Sequence, residues 1–247
     1  MAHTIAIGTA GWTIPSAHAA QFPSPGSHLE RYARRLTAVE INSTFYRPHR
    51  PATFARWAAA VPGSFRFAVK VPKEITHDRG LVDGIEALAR FLSDVRSLGE
   101  RLGPLLVQLP PSLVCDAAVA RGFFSALRER HGGDIVCEPR HPSWFGADVS
   151  AELTKWRVAR VAADPAPVPA AAEPAGWRGL AYYRLHGAPR IYFSAYSDED
   201  LAALATKLAA QAEHAPTWCI FDNTAHGHAA ANALATQDFV RARMTRG

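Results

Sequence analysis

The stretch "VCEPRHPSWF", residues 136–145, begins as a buried strand and ends in polar groups. Its first residues are apolar, as in a parallel strand that is covered on both faces. Glu138, Arg140, His141 and Trp144 then follow within seven residues. An apolar strand that ends in an acid, a guanidinium and an imidazole is typical of a barrel whose strand ends line a polar site.

Short apolar runs of this kind occur eight times along the chain, and each predicts a strand. They are "TIAIGTAG" from Thr4, "AVEINSTF" from Ala38, "FRFAVKV" from Phe65, "LLVQLP" from Leu105, "DIVCEPR" from Asp134, "RVARVAAD" from Arg157, "LAYYRLHG" from Leu180 and "TWCIFDNT" from Thr217. Strand and helix patterns alternate with a repeat of roughly 30 residues, the order and length of a (β/α)8 barrel. The sequence therefore predicts an α/β fold with a single TIM-barrel-like domain over residues 1–247.

Helix start signals separate most of the predicted strands. Ser27 and Glu30 have the spacing of a capping box, and Pro51 suits the first turn of a helix. Asp116 and Ser197 precede further amphipathic patterns. These signals support the alternation of strands and helices.

One connection departs from the pattern. After Asp164 the chain reads "PAPVPAAAEPAGW", and its four prolines exclude an ordinary helix. We expect an irregular loop over residues 165–179 in place of the helix after strand six. A doubly wound open sheet is the alternative fold, but no GxGxxG follows the first strand and no GxxxxGK[ST] is present.

Composition places few limits on function. The net charge is +5 with a pI near 9.4, yet 23 of the 27 basic residues are Arg spread along the chain, so nucleic-acid binding is not favoured. The three cysteines lack CxxC spacing and predict reduced thiols. No leader pattern or membrane-length apolar run is present, which predicts a soluble cytoplasmic protein; the oligomeric state is left open.

Polar residues concentrate at the predicted strand ends. Carboxyl ends of parallel barrel strands meet at one face, so we expect these side chains to form one site. The candidate acid and base groups are Glu138, Glu40, His186 and His141. The candidate substrate-binding residues are Lys70, Arg140, Arg184, Asn42, Gln108, Asn223, His77, Trp144 and Tyr46.

Several blocks of the sequence resemble a known family. "IGTAGW", "YARRLTAVEINSTFYRP", "FRFAVKVPKEITH", "LGPLLVQLPPSL", "CEPRHPSWF", "YYRLHG" and "FDNTAHGHAAANA" occur in order and are similar to blocks of the YecE-like family, domain of unknown function 72. The resemblance implies a TIM-barrel-like fold and no assigned activity. It also implies Asn at position 222, where this chain has Asp222, so Asn223 rather than Asp222 enters the predicted site.

The residues favour an enzyme that acts on a small anionic substrate by acid/base chemistry. Lys70, Arg140 and Arg184 would bind a phosphate or carboxylate group, on a sugar-containing molecule for example. The neighbouring cations should keep Glu138 ionised, which suits a base or nucleophile. A hydrolase, lyase or isomerase without a cofactor is the expected class.

Three alternatives stay open at this point. A divalent metal could bind Glu40, Glu138, Asp164 and His186, as in metal-dependent barrel hydrolases, isomerases and endonucleases. The same groups could hold a ligand, including nucleic acid, without turnover. They could also satisfy one another in a closed network of salt bridges that fills the top of the barrel.

Overall fold

A computed structural model of the chain describes residues 2–244 and contains ten strands in one sheet. The strands are β1 (Ile5–Ala10), β2 (Ala38–Ile41), β3 (Arg66–Lys70), β4 (Leu102–Gln108), β5 (Ile135–Glu138), β6 (Val158–Arg160), β7 (Ala162–Asp164), β8 (Ala175–Gly176), β9 (Ala181–Leu185) and β10 (Thr217–Phe221). All eight predicted runs are strands, and the predicted sixth strand is divided into β6 and β7.

Residues 2–244 form seven α-helices, of which six lie between strands and the last follows β10. They are α1 (His28–Ala33), α2 (Pro51–Ala59), α3 (Ile85–Val95), α4 (Ala117–Arg130), α5 (Ala147–Lys155), α6 (Asp198–Ala212) and α7 (His228–Met244). The predicted starts are confirmed: Ser27 and Ser197 form capping boxes, Asp116 accepts from the amides of Ala118 and Val119, and Pro51 occupies the first turn of α2.

The sheet curls into a nearly closed barrel. Neighbouring strands pair in parallel in the order β9, β10, β1, β2, β3, β4, β5 and β6. The strand β7 follows β6 after Val161 and pairs in parallel with β9, so the divided strand joins the two ends of the sheet. The mixed α/β architecture of a TIM barrel is therefore confirmed.

The Pro-rich segment forms no α-helix, as predicted. It contains a 3-10 turn at Pro169–Ala172 and the two-residue strand β8, which pairs antiparallel with β6. Arg160 donates to the carbonyl of Ala170 at 2.8 Å, which attaches the segment to the barrel wall. Within residues 2–244, no helix is long and apolar enough to cross a membrane.

Alternate residues of each strand enter two separate cores. Val39, Ile41 and their counterparts on other strands pack against the helices. A smaller core fills the barrel interior and includes Ala38, Ala68, Leu106, Val136, Tyr182 and Ile220. Because strand side chains alternate with period two, this core identifies which later residues of each strand face the barrel axis.

The close approach of β1 to β2 depends on Gly8. This residue lies opposite Ala38 in the parallel register. A Cβ atom at position 8 would lie 1.9 Å from the carbonyl oxygen of Ala38, a backbone atom that has no rotamer to change. Glycine is therefore required by contact distance at this position.

We predict that Gly8→Ala lowers the free energy of unfolding by about 3 kcal/mol, because the strands must separate to admit the methyl group. Gly122→Ala in α4 is the matched control, since a Cβ there meets nothing within 4 Å. The control should raise stability by about 0.5–1 kcal/mol through helix propensity. Urea unfolding of both variants measures this, and equal stabilities would contradict the account.

Candidate functional site

Strand periodicity brings most of the predicted polar residues to one end of the barrel. Along each strand, the residue two positions after the interior core faces the same side; these residues are Glu40, Lys70, Gln108, Glu138, Arg184 and Asp222. Two positions further along the chain are Asn42, Arg140 and His186. We call this carboxyl-terminal end of the interior the barrel mouth. Its charged groups come from five different strands or their ends, so the closed barrel is what places them within reach of one another.

Arg184 is the centre of an ion network and is 0% exposed. Its guanidinium donates to Glu40 at 2.7 and 3.1 Å, to Glu138 at 2.5 Å and to Asp222 at 3.1 Å. Tyr182, two residues earlier on β9, donates its hydroxyl to Glu40 at 2.8 Å. Every nitrogen of the buried guanidinium is thus bonded to a carboxylate.

His186 extends the network towards Arg140. One imidazole nitrogen, Nε2, lies 2.8 Å from Glu138, and Nδ1 lies 3.0 Å from Asp222. Arg140 donates to the same oxygen of Glu138 at 2.8 Å. The two carboxylates bind the imidazole most strongly when both of its nitrogens carry protons.

The pKa directions follow from this arrangement. Burial alone would raise the pKa of Glu138, but Arg184, His186 and Arg140 hold it well below its usual range. Burial alone would lower the pKa of His186, but Glu138 and the hydrogen bonds to both carboxylates raise it above 6.5. These shifts favour the carboxylate form of Glu138 and the imidazolium form of His186 in the folded protein.

Lys70 differs from the other charged groups because no carboxylate binds it directly. Its side chain is buried, and Nζ lies 4.1 Å from the centre of the Phe45 ring. Within residues 2–244 its ammonium group has no ion pair or hydrogen bond. Burial first, and then repulsion by Arg184, lower its pKa to about 8 despite the attraction of the network carboxylates.

With His186 protonated, the mouth carries more positive than negative charge. Its carboxylates are Glu40, Glu138 and Asp222, and its cations are Arg140, Arg184, His186 and Lys70. The surplus lies on the solvent side, where the Arg140 side chain is 18% exposed and its buried Nε has no hydrogen-bond partner. An anion at this position would supply the missing charge and acceptors.

The burial of Glu40 and Glu138 does not support the direct acid or base roles expected for them. Glu40 is 0% exposed and Glu138 is 1% exposed. Both oxygens of each carboxylate already accept hydrogen bonds from side chains. Their role in the structure is to hold Arg184 and His186, as the closed-network alternative describes.

Three other predicted residues lie near Lys70 and the mouth. His77 packs edge-on against Phe45 at 4.8 Å, and burial followed by Lys70 and Lys73 lowers its pKa. Gln108 pairs in register with Glu138 and is half-buried. Asn42 has a buried side-chain oxygen without a hydrogen-bond partner.

Other predicted residues lie away from the mouth. His141 follows the inward-facing Arg140 and instead accepts from the amide of Ser143 at 3.2 Å, capping a 3-10 turn. Trp144 is 1% exposed and donates its indole N–H to Leu113 at 2.9 Å. Tyr46 is 79% exposed at the edge of a separate cavity. The structure does not bring these three side chains to the ion network.

The positions of Asp222 and Asn223 reverse the expectation from the sequence. Asp222 is two residues beyond Ile220, faces the axis and binds Arg184 and His186. Asn223 faces outward and donates to the carbonyl of Ser194 and to Asn232 of α7, both at 2.9 Å. Residues two apart on a strand face the same side, so the position of Ile220 on β10 predicts that Asp222 faces the axis. The same spacing on β9 predicts that Tyr182 faces the axis together with Arg184.

The metal set proposed from sequence is not assembled. Asp164 follows the inward-facing Ala163, is exposed and accepts from Tyr196 at 2.7 Å on the outer side of the barrel. Glu40 and Glu138 are saturated by arginine. Among the described residues 2–244, no group of three or more His, Cys, Asp and Glu side chains is arranged to hold a metal ion.

We predict that the stability contributed by His186 depends on pH. Its folded-state pKa is raised, so the contribution is complete below about pH 6.5 and is lost as pH rises through the folded value. His186→Gln should therefore lower the free energy of unfolding most at pH 5.5–6.5, by about 2–4 kcal/mol, and least at pH 9. Urea unfolding across this range measures the difference. A penalty that grows with pH would show that the imidazole is neutral.

Three solved structures have folds similar to that of this chain, and two of them are DUF72 family proteins. A DUF72 family protein from Enterococcus faecalis is 24% identical, with a TM-score of 0.82 over 96% of each chain. A DUF72 family protein from Thermotoga maritima is 25% identical, with a TM-score of 0.79 over 97% of this chain and 100% of that one. A xylose isomerase-like TIM barrel/4-hydroxyphenylpyruvate dioxygenase fusion protein gives a TM-score of 0.55 at 16% identity, covering 100% of this chain and 44% of that one.

The sequence itself matches the same family. The protein called UPF0759 protein YecE from Escherichia coli is 30% identical over 149 residues, 58% of this chain and 54% of that protein. The chain thus spans about half the length of the curated relatives it matches. The family described as "Protein of unknown function DUF72" matches residues 6–246. The chain therefore belongs to the DUF72 family.

Proposed function

We propose that the barrel mouth binds a small anionic ligand that carries a phosphate or carboxylate group. The observation that supports this most is Lys70, a buried cation with no carboxylate bound to it. Burying an ammonium group without a directly bound carboxylate destabilises a fold. An anion beside Lys70 and Arg140 would offset that cost, so ligand binding would stabilise the folded state.

Acid/base chemistry on such a ligand would proceed through Lys70 rather than through Glu138 or Glu40. A group with a pKa of about 8 exchanges its proton near neutral pH, whereas Glu138 is held ionised by three cations. Lysines with lowered pKa values act as general acids, general bases or amine nucleophiles. On this proposal the Arg184 network is a support that positions Arg140 and His186 around the ligand.

Lys70→Met tests the proposal with sulfate as the probe, because sulfate does not titrate in the relevant range. The unmodified protein should show a melting temperature that rises with sulfate at pH 7, as ligand linkage requires. Lys70→Met should retain the fold, since it removes an unpaired buried charge, and should lose most of the sulfate response. Lys73→Met is the matched control, because Lys73 is exposed and pairs with Asp78 at 2.8 Å.

The same experiment has a pH signature. Lys70 loses its proton as pH rises above about 8, so the sulfate response should weaken from pH 7 to pH 9.5 while the arginines stay charged. A response that is equal in Lys70→Met and Lys73→Met, or that does not change with pH, would contradict binding at the mouth.

A further inference from the structure

A second cavity lies beside the barrel mouth. It has a volume of about 600 Å³ and lies between the loop after β2, the turn after β3 and helix α3. We call it the aromatic cavity, since rings of Phe45, Tyr46, His49, Phe54 and Phe91 line it. Cavities of roughly 300–1,000 Å³ are typical of small-molecule sites.

The inner wall of the aromatic cavity is apolar and consists mostly of buried rings. Phe45, Phe54 and Phe91 are each buried, at 9%, 1% and 6% exposed. His49 packs edge-on against Phe54 at 5.9 Å, and its Nε2 lies 2.7 Å from the Ser43 hydroxyl. Burial first, and then Arg47, lower the pKa of His49, which favours the neutral form of this ring. The wall therefore presents flat uncharged surfaces, which favour a planar ring.

The rim of the aromatic cavity carries both paired and unpaired charged groups. Two of them are paired: Lys73 binds Asp78 at 2.8 Å, and Glu74 binds Arg79 at 3.2 Å.

Two further arginines at the rim, Arg47 and Arg90, have guanidinium groups without an ion pair or hydrogen bond within residues 2–244. Asp94 is the remaining acidic residue of the lining; because Glu74 is paired with Arg79, which lies outside the lining, one positive charge is left in surplus. The combination of an aromatic wall and free guanidinium groups matches a ring that bears an anionic group.

We propose that the aromatic cavity is a binding site for a planar aromatic or heteroaromatic ligand that carries a phosphate or carboxylate group. The ring packs between the aromatic side chains, and Arg47 and Arg90 bind the anion. The site is distinct from the barrel mouth, because Phe45 lies between the two. The ammonium group of Lys70 in the mouth contacts the Phe45 ring, and Phe45 also lines the aromatic cavity. The proposal goes beyond the function proposed for the mouth and does not require it.

Isothermal titration calorimetry with 1-naphthyl phosphate tests the site, with 1-naphthol and inorganic phosphate as the ring and the anion alone. We expect 1-naphthyl phosphate to bind at least about tenfold more tightly than either part, since each contributes one half of the recognition. The double variant Arg47→Gln/Arg90→Gln should bind about tenfold more weakly. Arg56→Gln, an exposed arginine of α2 outside the cavity, is the control and should bind as the unmodified protein does.

A second variant tests the location of the ring. Ala87 is buried and lines the cavity from α3, so Ala87→Leu should occupy the space and abolish binding, while Lys70→Met should leave binding unchanged. An unchanged melting temperature for the double arginine variant checks folding independently. Binding that is lost in Lys70→Met but kept in Ala87→Leu would place the ligand at the mouth and overturn the proposal. So would no binding of 1-naphthyl phosphate, or binding of inorganic phosphate to Lys70→Met that is as tight as the binding of 1-naphthyl phosphate to that variant.

Discussion

The ion pairs of Arg184 are the constraint on which the barrel mouth depends. A guanidinium with 0% exposure is tolerated only when carboxylates surround it, since an unpaired buried charge costs several kcal/mol. Its partners Glu40, Glu138 and Asp222 belong to β2, to β5 and to the residue after β10, so the pairs join distant strands across the axis. This geometry also fixes the positions of Arg140 and His186, which bind the same carboxylates.

The same network supports the proposal that the mouth binds an anion. The carboxylate oxygens are hydrogen-bonded to Arg184 and His186. Little negative charge therefore remains to pair with Lys70 and the outer side of Arg140. A network that only filled the barrel would need no additional cation. Burial first, and then Arg184, lower the pKa of Lys70, and the network carboxylates offset these effects only in part.

The sequence predicts the fold better than it predicts the contacts. Alternating strand and helix signals locate all eight strand positions and the Pro-rich segment, since these depend on local periodicity. Period two also separates Asp222 from Asn223 and Arg140 from His141 once the inward face is known. Which carboxylate binds Arg184 depends on the stagger of strands around the barrel, a long-range property without a local signal. The same holds for the burial of Trp144, whereas period two gives the outward direction of Asp164 once the inward face is known.

The titration of Lys70 tests the account most directly. The chain has four lysines, so an NMR spectrum with ¹³C-labelled lysine is simple, and the Lys70 signal is the one that Lys70→Met removes. We predict that this signal titrates near pH 8 in a buffer without multivalent anions and moves to higher pH when sulfate is added. A Lys70 pKa at the ordinary lysine value of about 10.4, unchanged by sulfate, would contradict an uncompensated cation at the barrel mouth.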